Sequence, residues 1–334
     1  MPNSPDIVEQ YASALRAGGY WRRDDRGVIE VTGADRADWL NNLVTNTVKT
    51  VAPGDGNYAF ATDVKGRTIV DLNVLVLPDR LWLDIDRRRL QAAMQHFDRY
   101  VITEVAKLTD VSDVWQRLAV CGLELQPLAD RFAMTNLGAM AQLQHAAASI
   151  AGVDVRWIRH DVLGLPGAEI LAPADSLHAV AAAVEDAAGR LGMARLDAGT
   201  VEILRIEAGI PASVADIDGD VLPPETLQIE RGISYRKGCY LGQEVIERMR
   251  SHGVISRKLV GIRLEGDVLP ARDASVLHDE QPVGRVTSAC RSEAVKAVLA
   301  LGYVKSARAA PGTPVIVQDG PRRAPGEIVA LPLR

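Results

Sequence analysis

The chain has 334 residues, more than one hydrophobic core usually organises, so it is expected to divide into two or three domains of ~100–200 residues. Apolar residues make up 47% and charged residues 24%, a globular composition that excludes a disordered or fibrous chain. Lys and Arg number 38 against 43 Asp and Glu, for a formal charge of -5, which argues against nucleic acid as the partner.

The three cysteines, Cys121, Cys239 and Cys290, are widely separated. They allow at most one intramolecular disulfide and supply no Cys-Xaa-Xaa-Cys metal site, which fits a reducing cytoplasm. The opening Met1–Asp6 lacks the basic and apolar stretches of a secretory signal. Its apolar runs are shorter than the ~20 residues that cross a bilayer. The expectation is a soluble, cytoplasmic protein with no membrane partner.

Apolar residues at Ile7, Val8, Tyr11, Ala14 and Leu15 predict a first helix that stops at Gly18-Gly19. Val28–Val31 reads as a strand, and Thr32–Asp35 carries cap chemistry for a helix through Trp39, Leu40 and Leu43. After the Pro53–Gly56 turn, Tyr58–Thr62 and Thr68–Leu77 form a hairpin candidate around Asp63–Gly66. Leu81–Ile85 is a further strand, followed by a helix that Asp86 can cap and that carries Leu90, Met94 and Phe97 on one face. The same succession returns at Glu169–Leu171 and the Ala-rich helix Leu177–Leu191, so the region reads as two related α/β layers. From Arg257 onward short β-rich runs, Leu259–Leu264, Pro282–Ala289, Ala297–Val304 and Pro314–Val317, are punctuated by Gly and Pro. They predict a separate β-barrel or sandwich of about 80 residues with its boundary near Gly253.

Three stretches carry candidate chemistry. Lys237-Gly238-Cys239-Tyr240-Leu241-Gly242-Gln243-Glu244 puts Cys239 just before a helix that stops at Gly253. Helix N–H groups with Arg236 and Lys237 favour a thiolate there, whereas a packed cysteine would be inert. His252 lies at the far end of that helix, roughly 15 Å away by the helical rise, too far to act as its base. Glu207, in the helix that ends Ala208-Gly209-Ile210-Pro211, suits either an ion pair with an arginine such as Arg205 or two parallel N–H bonds from a planar heterocycle. Asp71 follows the Lys65-Gly66-Arg67 tip, as a base, an electrostatic partner or part of a solvated hairpin. Arg248, Arg250, His252, Arg257 and Lys258 read as a solvated basic cluster.

Taken in order, these stretches resemble the YgfZ folate-binding family, relatives of the glycine cleavage T-protein (aminomethyltransferase). Lys237–Glu244 matches the family signature K-G-C-[YF]-x-G-Q-E at every fixed position. Asp35-Arg36 with Trp39–Asn46, the Lys65–Arg67 tip, Arg205–Pro211 and Gly284–Ser288 support the match. The resemblance implies an α+β, GcvT-like cloverleaf: two interleaved α/β units within residues 1–253, then a β-barrel over 254–334, around a central folate channel.

That resemblance assigns tetrahydrofolate or a one-carbon derivative as cofactor. It puts Glu207 at the pterin, with Arg205, Lys237, Tyr240 and Gln243 as further folate-binding candidates and Cys239 and Asp71 as catalytic ones. It implies an accessory role in assembly or repair of iron–sulfur enzymes, with those clients or assembly proteins as partners. A folate-dependent aminomethyltransferase or demethylase is the alternative, and a scaffold without folate the third reading. T-protein-like relatives carry two adjacent acids where this chain has Val70-Asp71, so one acid is missing and glycine-cleavage activity is in question. The isolated cysteines do not predict a resident iron–sulfur cluster or other metal.

Overall fold

The computed structural model describes residues 3–253 and 255–333. The first helix, Pro5–Arg16, is capped by Ser4 and ends before Gly18, whose φ of 147° lets the chain turn into strand Gly19–Arg22. That strand belongs to a six-stranded sheet, in the order Ala194–Arg195, Gly19–Arg22, Trp115–Cys121, Gly167–Pro173, Val153–Arg159, His145–Ile150. Between its first two segments in sequence the chain builds an entire five-stranded sheet, ordered Gly56–Thr62, Thr68–Val76, Leu81–Asp86, Arg26–Thr32, Lys107–Asp110. The two α/β units are therefore interleaved, as the resemblance implies.

Each sheet buries one face under its own helices. Leu40, Phe97, Val70, Leu72 and Val74 pack beneath the five-stranded sheet, and Leu128, Val180, Val184 and Trp157 beneath the six-stranded one. The opposite faces meet each other through Tyr58, Phe60, Leu75, Trp82, Ile158 and Leu171. Strand Thr68–Val76 is thus covered on both sides, which explains its near-continuous apolar sequence.

The closed barrel runs from Arg257 to Val329 in six strands, Arg257–Leu264, Ala297–Lys305, Gln281–Ser292, Ser275–His278, Pro314–Asp319 and Arg322–Val329. Closure removes the exposed edges that short strands would otherwise leave. Leu259, Leu299, Leu301 and Tyr303 pack it against helices Pro5–Arg16 and Ala198–Glu207. Among the described residues no helix is long and apolar enough to cross a membrane.

Several elements differ from the sequence expectation. Strands Trp115–Cys121, His145–Ile150, Val153–Arg159, Ser275–His278 and Arg322–Val329 were not anticipated. Asp35 flanks helix Arg36–Asn41 without capping it, because its Oδ2 accepts from the Val105 N–H at 2.7 Å. Asp86 does cap, but a turn of 3-10 helix, Arg87–Arg89, precedes helix Leu90–Asp98.

Candidate functional site

A cavity of about 660 Å³ opens where the five-stranded sheet, helix Ala198–Glu207 and the segment after it converge, within the usual size range of small-molecule sites. Strand geometry decides which side chains reach it. Successive residues face opposite ways, so Asp71 and Asn73 share the cavity face while Val70 and Leu72 enter the core beneath the sheet. Phe60 and Tyr58 stand opposite Asp71 and Asn73 in register.

The absence of a second acid therefore has a different meaning from the one the sequence suggested. A carboxylate at position 70 would point into the apolar core, where Val70 is 2% exposed, and not into the cavity. Asp71 alone occupies the cavity-facing position, and the Val70 departure takes no charge from the site.

Asp71 is 7% exposed. Its Oδ2 accepts from the Tyr58 hydroxyl at 3.1 Å and its Oδ1 from the Ser213 hydroxyl at 2.5 Å, which leaves acceptor positions open. Burial, and then the Asp71 charge, push the Tyr58 hydroxyl well above the usual range, so it stays protonated and donates. The Arg231 guanidinium lies over the Tyr58 ring, 4.1 Å from its centroid. Ser213 comes from the segment that leaves the helix at Gly209, whose φ is +67°, and that Asp216 turns back by accepting from the Ala212 N–H. Asn73 donates to Asp84 at 2.8 Å, and its Oδ1 is buried with no partner among the described residues.

The other expected site residues are placed away from the cavity or are already paired. Glu207 does not border the cavity. It lies five residues, about 140° round the helix, from Glu202, which does. Its carboxylate is 0% exposed, accepting from Tyr11, Ser292 and the Ala294 N–H; it ties the first helix to the barrel. Arg205 borders the cavity, but all five of its N–H bonds are taken by Glu202, Ile210, Asp216 and Ser288. It can offer a ligand only the face of its guanidinium.

Glu207→Gln is accordingly expected to cost about 1–3 kcal/mol in unfolding experiments, through a mispaired buried donor. Ligand affinity should change less than about twofold, because Glu207 does not border the cavity. A larger affinity loss at unchanged stability would return Glu207 to the site.

Lys237, Cys239, Tyr240 and Gln243 also lie off the cavity. The Lys237 ammonium donates to the carbonyls of Asn41, Val44 and Asn46. Burial, then Lys49, lowers its pKa to about 7, and the three carbonyls oppose that by favouring the protonated amine. Gly242, at φ +81°, sits so close to the Asp63–Gly66 turn that a Cβ would fall 2.4 Å from the Asp63 carbonyl. Gln243 accepts from the Tyr240 N–H, and the Tyr240 ring packs with Ile233 and Ile246. The signature, the Asn41–Asn46 segment and the Lys65–Arg67 tip are thus one docked cluster. Cys239 is exposed upon it, whereas Cys121 and Cys290 are buried. Arg248 and Arg250 pair with Glu244 and Glu247 as a solvated helix end.

A second cavity of about 490 Å³ lies on the barrel, between Glu265–Pro270 and Arg322–Pro325, and contains none of these residues.

Comparison with known proteins fits this architecture. The GCVT N-terminal domain family matches residues 8–237, and the glycine cleavage T-protein C-terminal barrel domain family matches residues 257–333. The chain belongs to the glycine cleavage T-protein family. A probable aminomethyltransferase of Haloarcula marismortui is 31% identical over 97% of this chain and 90% of its own length. An aminomethyltransferase of Halalkalibacterium halodurans is 26% identical over 98% and 89%. The crystal structure of glycine cleavage system aminomethyltransferase T from Bartonella henselae superposes with a TM-score of 0.86, at 18% identity over 98% of this chain and 89% of that one. This last likeness shows the T-protein fold.

Proposed function

We propose that the protein binds tetrahydrofolate in the cavity and works on a one-carbon unit there with Asp71. The observation that carries the proposal is a buried carboxylate with open acceptor positions on the cavity face. The cavity volume suits the cofactor. The aminomethyltransferases among the relatives support the same chemistry. Bound tetrahydrofolate would supply the nitrogen pair that carries or receives the one-carbon unit. Asp71 would hold negative charge against the reacting carbon, with Tyr58 and Ser213 fixing its orientation. Calorimetry with tetrahydrofolate tests the binding, and turnover with an aminomethyl carrier or methylated amines tests the transfer. Failure to bind overturns the proposal.

A second reading, the YgfZ-type accessory role for iron–sulfur enzymes, is supported by Cys239, exposed on the docked Lys237–Glu244 cluster away from the cavity. Under it, Cys239→Ala keeps a folded, folate-binding protein that fails to restore iron–sulfur enzyme activity in a deletion strain. Cys121→Ala and Cys290→Ala restore it at a modest stability cost. Burial also pushes the Cys290 thiol up, so a thiol reagent should label Cys239 first. Full rescue by Cys239→Ala defeats this reading and leaves the folate one standing.

A further inference from the structure

Around the cavity, Asp24, Asp25, Asp86, Asp161 and Glu202 each pair with an arginine. Asp71 is then the lining carboxylate without an arginine partner, and a further polar side chain, His160, borders the same cavity. We infer that His160 is a ligand-binding residue, its Nε2 lone pair presented to an N–H group of the bound reduced pterin and its tautomer fixed by Glu169. The pterin partner rests on the folate reading; the tautomer does not.

Glu169 is 1% exposed on strand Gly167–Pro173. Arg117 donates to it at 2.7 Å and Arg23 at 3.0 Å. Burial alone would raise its pKa, but the two guanidiniums outweigh burial and hold the carboxyl well below the usual range. Glu169 is therefore an anion, and an anion only accepts. His160 Nδ1 lies 3.2 Å from its Oε1, so Nδ1 must carry the ring proton. In the neutral ring Nε2 is then the acceptor, and it has no hydrogen-bond partner among the described residues. The bond of the His160 N–H to the Gly167 carbonyl at 2.9 Å anchors the backbone beneath it. A buried carboxylate that orients an imidazole toward an open space is the arrangement by which proteins fix a working tautomer.

His160 carries no sequence signal of its own, because its partner is nine residues away on a returning strand. Arg117 faces the dyad from the neighbouring strand, Arg23 and Asp25 from the turn before Arg26, and Arg159 and Asp161 from its own segment.

The test uses the full chain with nitrogen-15-labelled histidine, His160 being assigned by its loss in His160→Gln. Nuclear magnetic resonance at pH 8 should show Nδ1 protonated and Nε2 bare, with the Nε2 signal moving when tetrahydrofolate is added without oxygen. In His160→Gln, whose amide keeps a donor for Glu169, calorimetric affinity at pH 8 should be about five- to tenfold lower than in the wild type. A ring protonated on Nε2, an Nε2 signal that stays in place when tetrahydrofolate is added, or an unchanged affinity in His160→Gln overturns the inference while leaving folate binding intact. Absence of tetrahydrofolate binding by the wild type overturns the folate reading, and with it the pterin as His160's partner.

Discussion

Replacing Arg117 by methionine is expected to lower stability by about 3–5 kcal/mol at pH 7, the range for removing one partner of a buried ion pair. Arg117 is 2% exposed by its side chain and stands between two buried carboxylates, Glu169 on its own sheet at 2.7 Å and Asp84 on the facing sheet at 2.9 Å. Arg26 and Arg23 complete the cluster from one side, so methionine would leave two anions sharing one flank of cations. Burial acts to raise both carboxyl pKa values, and the arginines hold both below the usual range. The folded chain therefore binds fewer protons than the unfolded one as these groups titrate. The stability they contribute is complete above an unfolded pKa of about 4 and is lost as pH falls through the lower folded values. The variant lacks the cation that rewards ionisation, so its deficit should be largest at neutral pH and shrink in acid. Urea unfolding at pH 7 and pH 3.5 measures both. An equal deficit at the two values would mean that Arg117 acts by packing alone.

That ion cluster also shows why the architecture was only partly legible. The barrel strands announced themselves, because β-rich runs broken by Gly and Pro have few other readings. Strand His145–Ile150 did not, since its sequence is His-Ala-Ala-Ala-Ser-Ile and its turn uses Ala151 and Gly152 at φ 50° and 77°. Alanine is a poor advertisement for such a turn, where Asn or Gly is usual. Strand Trp115–Cys121 carries Arg117 inside an apolar run, and only the facing sheet explains a buried arginine there.

The site was legible by residue but not by direction. Asp71 was a candidate from its place after the hairpin tip, and period-two alternation would have added Asn73 to the cavity face and turned position 70 away from it once the covered face was known. Glu207 was assigned to the pterin through the resemblance, yet a difference of about 140° in helical phase turns it to the barrel. The Lys237–Glu244 signature drew attention to chemistry, while much of its pattern serves docking: Lys237 clamps three carbonyls and Gly242 permits close approach to the Asp63 turn. Within it, Cys239 is an exposed residue whose thiol no packing requirement explains.

Asp71→Asn should separate binding from chemistry. The substitution keeps the size of the side chain and one carbonyl oxygen. The Ser213 hydroxyl can rotate from donor to acceptor toward the new amide, so the fold and most of the cavity shape persist. Tetrahydrofolate affinity should fall by about tenfold or less, the share of one hydrogen bond that loses its charge. One-carbon transfer should fall by about 10²–10³-fold, because the amide no longer opposes positive charge growing at the reacting carbon. Tyr58→Phe removes one of the two bonds that orient the carboxylate and should give a smaller loss in kcat with affinity little changed. Calorimetry and single-turnover kinetics on the same preparations measure the two quantities separately. Equal losses in affinity and rate would make Asp71 a binding group only, and unchanged turnover would remove it from the chemistry. If the protein binds tetrahydrofolate but transfers nothing in either form, Asp71 loses its transfer role and the Cys239 reading becomes the one to pursue.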